Sequence, residues 1–173
     1  LAEFLPISSS GHLIVAEKLL AQIGYHAAGG GAGMLNSILL HAGTLIAVIV
    51  VFWDDWLQIL KNPFKSKTLL LLFIASLPAL GVKLVLGETL DAFFEGWFLG
   101  VSFLITGCML VVIDVIRSRR SKHVSGRDEV TTFRAVIMGL FQGVALLPGV
   151  SRSGSTILGG VSTGLSAKSA AKF

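Results

Sequence analysis

The 173-residue sequence predicts an all-α, polytopic membrane protein with an inverted-topology repeat and two re-entrant helix–loop–helix segments. Three observations carry that expectation. Hydrophobic residues make up 53% of the chain and charged residues 14%, with a mean hydropathy of +0.81; ordinary soluble domains carry roughly 25% charge. Three apolar runs have the length of membrane spans. Two further apolar stretches are broken by Pro and by clusters of Ser and Gly, and the two breaks resemble each other. A chain this apolar is not disordered. Its single cysteine, Cys108, excludes an internal disulfide framework and a cysteine-based zinc site.

The expected organisation is one membrane domain in four parts: a first re-entrant motif with a connector (1–35), three transmembrane helices (36–116), a basic cytoplasmic loop (117–134) and a second re-entrant motif (135–173). Both ends lie inside apolar sequence and there is no initiator Met, so the chain reads as a fragment. The spans are expected at 36–53, 68–87 and 97–116. Stretches of 18 to 20 residues at ~1.5 Å each match a hydrocarbon core of ~30 Å. Trp53, Trp56 and Trp97 fall at span ends, where aromatic side chains sit at the membrane interface. The run Gly29-Gly30-Gly31-Ala32-Gly33 lacks the Gly-Lys-Ser ending of a phosphate loop and reads as a flexible connector.

The loops assign an orientation. Segment 54–67 carries Lys61, Lys65 and Lys67, and segment 117–134 carries Arg117, Arg119, Arg120, Lys122, Arg127 and Arg134. The intervening segment, 88–96, carries Glu88, Asp91 and Glu95 and no base. Two spans separate the basic segments, so both lie on one side, the cytoplasmic one. The chain's net charge of +4 is that of the second basic loop once Asp128 and Glu129 are set against its six bases. A nucleic-acid partner is not expected: this loop follows a span directly and has no interleaved aromatics.

The two breaks read Leu5-Pro6-Ile7-Ser8-Ser9-Ser10-Gly11-His12 and Leu147-Pro148-Gly149-Val150-Ser151-Arg152-Ser153-Gly154. Allowing one extra residue after the second Pro, each is Leu-Pro, a spacer, Ser-x-Ser-Gly and a short helix. The apolar runs that follow, 13–23 and 156–165, are too short to cross a bilayer. Interrupted segments in corresponding places of two halves mark an inverted repeat and a midplane binding site. Pro ends the preceding helix, Ser caps the next one, and Gly permits a tight turn. A helix N-terminus presents unpaired N–H groups and partial positive charge, which suits an anion. Two of them suit a substrate with more than one phosphate.

Arg152 lies at such an N-terminus, at a depth where charge is expensive and normally functional. Its guanidinium matches phosphate oxygens in a bidentate fork. Glu3 is a candidate Mg²⁺ ligand or general base, or a salt-bridge partner of Arg152. His12 is a candidate proton carrier or nucleophile, or a hydrogen-bonder only. Ser9, Ser10, Ser151, Ser153 and Thr156 are caps and phosphate hydrogen-bonders, with a nucleophilic Ser as the minority reading. Gln142 is a candidate site-lining residue. His41 and Thr44 are expected to hydrogen-bond between helices. The function classes left open are an enzyme acting on a phosphate, a transporter or flippase for an anion, and a structural membrane subunit.

The segments EFLPISSSGHLIV and FQGVALLPGVSRSGSTILGG resemble the two signature regions of the undecaprenyl-diphosphate phosphatase family, linked to bacitracin resistance. The resemblance runs from Leu1 to Phe173, and the second signature is intact from Pro148 to Thr156. It implies hydrolysis of undecaprenyl diphosphate to undecaprenyl phosphate and phosphate, recycling the lipid carrier for peptidoglycan. It implies a multi-pass protein of the bacterial plasma (inner) membrane, often a homodimer among membrane lipids, with a divalent cation, Mg²⁺ or Ca²⁺, and a site toward the outer face. By motif, Glu3 matches the second acid of the family's paired acid motif and so a metal and catalytic position. Ser9 and His12 match catalytic positions of the first signature, and Arg152 the essential Arg of the second. Ser151, Ser153 and Thr156 match phosphate-contacting positions, and Ser10 stands where Thr is frequent. The partner acid or Gln would fall four residues before Glu3, outside the chain. Residues 1–173 alone are therefore expected to be inactive, and the intact protein active.

Overall fold

The computed structural model describes residues 5–24, 30–61, 67–93, 98–120 and 129–173. Among these there is no strand, and the helices are α1 (Ser9–Gln22), α2 (Gly30–Val51), α3 (Trp53–Lys61), α4 (Lys67–Phe93), α5 (Leu99–Arg120), α6 (Thr132–Val144), α7 (Arg152–Ser162) and α8 (Ala167–Lys172). Glu3, Trp97 and the loop residues Lys65, Lys122, Arg127 and Asp128 lie outside the described residues. Two helical segments are long and apolar enough to cross a membrane, Lys67–Gly87 and Leu99–Arg119; the apolar part of α2, Ile38–Val51, is shorter. The all-α membrane class expected from composition is the observed one.

Several boundaries differ from expectation. The glycine run does not stay a connector: α2 starts at Gly30. The first basic segment holds a helix, α3, whose Trp53, Trp56 and Leu60 are exposed beside Asp54 and Lys61. Such a short amphipathic helix suits a membrane interface. Helix α4 does not stop at Gly87 but continues to Phe93, taking in Glu88 and Asp91. Helix α5 continues to Arg120, so Arg117 and Arg119 extend a helix rather than a loop. Thr44 does not bridge helices; its hydroxyl donates to Leu40 O at 3.1 Å and His41 O at 2.9 Å within α2.

The chain divides into two units. One, His12–Ser66, holds the rest of α1 with α2 and α3. The other, Leu1–Gly11 with Lys67–Phe173, carries the start of α1 and the helices α4 to α8. In this second unit α4 and α6 run side by side in the same direction. Leu71, Ala75 and Ala135 pack together, and a Cβ on Gly139 would strike the backbone of Ala75. Where the two helices begin, Lys67 Nζ donates to Glu129 Oε1 at 2.6 Å. The Lys67 ammonium holds the Glu129 carboxyl below its ordinary value. The ends of both basic segments therefore meet on one side.

Helix α6 is capped by Thr131, whose hydroxyl accepts from Arg134 N at 3.4 Å. It runs 13 residues, about 20 Å, and ends at Val144, where Ala145 caps it by donating to Gln142 O at 3.1 Å. The chain turns at 145–151 and α7 comes back along α6. Met138, Val161, Leu165 and Ala170 form one apolar cluster, and the guanidinium of Arg134 reaches the Gly164 turn that ends α7. The hairpin thus leaves and returns to the same basic side, which makes it re-entrant.

Candidate active site

The first break forms its helix through Ser8. Its hydroxyl accepts from Gly11 N at 3.3 Å and so caps α1, and its backbone takes φ 63°, rare for a residue with a side chain. The second break repeats the device. Ser151 caps α7, its hydroxyl accepting from Gly154 N at 3.1 Å. Each cap also meets the second Ser of its own motif: Ser8 Oγ lies 3.5 Å from Ser10 Oγ, and Ser151 Oγ 3.2 Å from Ser153 Oγ. In the second break the left-handed residue is Gly149, at φ 85°.

The motifs interlock. A Cβ on Gly11 would lie 3.1 Å from Gly149 Cα and 2.9 Å from Phe103 Cζ, and a Cβ on Gly154 would lie 3.4 Å from Pro6 Cβ. Ser153 Oγ reaches Leu5 O at 3.5 Å. Each glycine after Ser-x-Ser thus packs on the Pro or post-Pro residue of the other motif, and the two helix N-termini are brought together.

Between them lies a cavity of about 580 Å³. Of the sequence-derived candidates, Ser9, Ser10, Gln142, Ser151, Arg152, Ser153 and Thr156 line it. His12, exposed on α1 in the other unit, is not in the lining, and Glu3 lies outside the described residues. Arg152 is the single charged residue of the described lining. Ser9 and Arg152 hold equivalent positions, each the first residue of its helix. Their neighbours are spent on the caps. Among the described residues no hydrogen bond engages the Ser9 hydroxyl, and no hydrogen bond or ion pair the Arg152 guanidinium. Thr156 is engaged, its hydroxyl donating to Arg152 O and Ser153 O, each at 3.1 Å. In this rotamer it offers a phosphate lone pairs rather than a proton.

Ser8 and Ser76 also line the cavity and went unmarked in the sequence. Ser8 was legible as the counterpart of Ser151 in the repeat. Ser76, whose hydroxyl donates to Leu72 O at 2.9 Å in α4, carried no signal. The described lining supplies hydroxyls and one carboxamide but no carboxylate, and no group of three or more His, Cys, Asp or Glu able to hold a metal occurs among the described residues. A hard divalent cation takes carboxylate oxygens, and these residues alone do not fit one.

Helix α5 serves as a ruler for depth. Thr106, which touches the second break through Gly149 and Ser151, lies about 10 Å from the Leu99 end of α5 and about 21 Å from the Arg120 end. The second break therefore meets α5 nearer its Leu99 end than its Arg120 end.

A helical membrane protein with a polar cavity at the heads of two serine-capped helices is the class that fold and site define. The chain belongs to the bacitracin resistance protein BacA family, whose model matches residues 1–173. It is 38% identical over 167 residues to an undecaprenyl-diphosphatase of Rhodopirellula baltica, covering 95% of this chain and 60% of that protein. It is 37% identical to undecaprenyl-diphosphatase 4 of Bacillus thuringiensis, covering 100% of this chain and 62% of the relative. An undecaprenyl-diphosphatase of Carboxydothermus hydrogenoformans is 34% identical with the same coverage. The chain thus spans about three fifths of the length of the curated relatives it matches.

Proposed function

We propose that the protein removes the terminal phosphate of undecaprenyl diphosphate in the bacterial plasma membrane, giving undecaprenyl phosphate for envelope polymers and resistance to bacitracin. The observation that carries this reading is the pairing, in one cavity, of an uncommitted serine hydroxyl and an uncommitted guanidinium at the heads of two facing helices. The relatives' names point to the same substrate.

In this reading the diphosphate lies between the N-termini of α1 and α7. Their free N–H groups and Arg152 take its oxygens. Ser9 Oγ attacks the terminal phosphorus as its proton passes to a non-bridging oxygen of the diphosphate: the new bond is Oγ–P, and the bond to the bridging oxygen breaks. Undecaprenyl phosphate departs with that electron pair, and water then releases phosphate from the serine. Arg152 and the N–H groups stabilise the charge that spreads over the equatorial oxygens. Ser10, Ser151, Ser153 and Gln142 position the phosphates. Ser9 is favoured over His12 as nucleophile because it lines the cavity and His12 does not. A cation on Glu3, Mg²⁺ or Ca²⁺, and a homodimer belong to the same reading, and the prenyl tail runs among the membrane lipids.

The test is phosphate release from undecaprenyl diphosphate by the full-length protein in detergent micelles, where no gradient exists. Turnover that chelation abolishes and added Mg²⁺ or Ca²⁺ restores is expected, with Ser9→Ala and Arg152→Ala each at least ~100-fold slower. Movement of lipid across vesicles with no phosphate released, or near-normal turnover in both variants, would overturn the reading.

A further inference from the structure

The second break is held by a residue of neither motif. Thr106 lies in the span α5, is 5% exposed, and faces the turn one helical step beyond Ser102. Its hydroxyl donates to Gly149 O at 3.2 Å and accepts from Ser151 N at 3.1 Å. Ser151 is 1% exposed, so without this acceptor its N–H would be a buried donor with no partner, and the Gly149 carbonyl would lose a donor with it. Only a group that gives and takes a hydrogen bond at once can fill both positions.

We propose that Thr106 is a positioning residue of the active site, its hydroxyl clamping both sides of Val150 and so fixing the N-terminus of α7. Ser151 cannot move without breaking this clamp, and Ser151 sets the helix start by capping Gly154. Arg152 and the free N–H groups of α7 follow from that start. Ser102 provides a built-in comparison. It is 0% exposed, its side chain is 2.7 Å from where a Cβ on Gly149 would lie, and its hydroxyl has no hydrogen-bond partner among the described residues. Ser102 packs against the turn; Thr106 bonds it.

The effect on turnover rests on the phosphatase reading above, so the experiment has two arms on the full-length protein in detergent. The first is amide hydrogen exchange over 147–155, which needs no substrate. Thr106→Val keeps the volume and removes both bonds; exchange at Ser151 is expected to rise by ~10-fold or more. Thr106→Ser is expected to stay within ~3-fold of the parent, and Ser102→Ala to match it. Thr106→Cys, a poor donor and acceptor of similar size, stands in should the valine variant fail to fold. The second arm is kinetic. A misplaced helix head costs transition-state contacts first, so kcat falls ~10-fold to ~100-fold with KM within ~3-fold, and Thr106→Ser restores it. Unchanged exchange in Thr106→Val, or equal loss in Thr106→Ser and Thr106→Val, overturns the proposal. A parent protein that releases no phosphate overturns the phosphatase reading instead, and the exchange arm still decides on Thr106.

Discussion

Arg152 and Ser9 occupy the same place in two different helices. Each is the first residue of a short helix, and each is left free by neighbours whose hydroxyls are bound into the caps. The capping hydroxyls thus both set the helix starts and line the cavity, and variants should separate the two effects. Ser151→Ala removes the bond to Gly154 N and is expected to cost about 1 kcal/mol of stability, read as a lower Tm in detergent. Arg152→Lys keeps the charge but loses the planar fork, so activity should fall while Tm stays put. Gly149→Ala is expected to be worse than either for stability. It forces a side chain to φ 85° and brings its Cβ to 2.7 Å from Ser102 Cβ and 2.8 Å from Leu99 Cδ1. Left-handed strain of about 1–2 kcal/mol adds to overpacking of about 1–3 kcal/mol. A Gly149→Ala protein with unchanged Tm would contradict the packing described.

Among elements, the tightest crossing is α4 on α6. A Cβ on Gly139 would come within 3.1 Å of three Ala75 backbone atoms, which cannot swing away as a side chain end can. Gly139→Ala is expected to destabilise by about 1–3 kcal/mol. Gly81→Ala, on α4 with nothing within 4 Å of its Cβ position, is expected to be neutral or slightly stabilising. Thermal melts of the two variants side by side check both. Helix existence was legible wherever apolar runs were long, and the Pro–Ser–Gly breaks announced two serine-capped helices because capping is local chemistry, although α1 and α7 begin at Ser9 and Arg152, ahead of the apolar runs. Helix ends were not. Nothing in the residues at 88–93 or 117–120 marks a stop, so charged side chains there simply continue α4 and α5 past the apolar run. Ser102 and Thr106, four apart on one face of α5, went unmarked in the sequence, and the hydrogen-bond partners of Thr106 lie more than 40 positions away. Periodicity names a face; it does not name what meets it.

For the whole molecule, the two basic segments and the place of Thr106 along α5 predict an orientation that labelling can check. Lys67 and Glu129 join the starts of α4 and α6, and Arg134 reaches the end of α7, so three helix ends share one surface. With Cys108 replaced by Ala, a cysteine introduced at Arg119 should react with an impermeant thiol reagent from the cytoplasmic side only. One at Phe98, at the opposite end of α5, should react from the outside only. Reversed labelling would invert the topology and put the cavity on the wrong face. The interlock of the two breaks also has a meaning in time. Ser153 and Leu5, in contact across the site, are 148 positions apart. At roughly 5–20 residues per second of synthesis, Ser9 waits on the order of ten seconds or more in the membrane before the helix that completes its pocket exists. Closing so long a loop is slow compared with forming either hairpin. The first motif is thus an unfinished surface until the residues around Ser153 have been made, and the pocket should close as one later event.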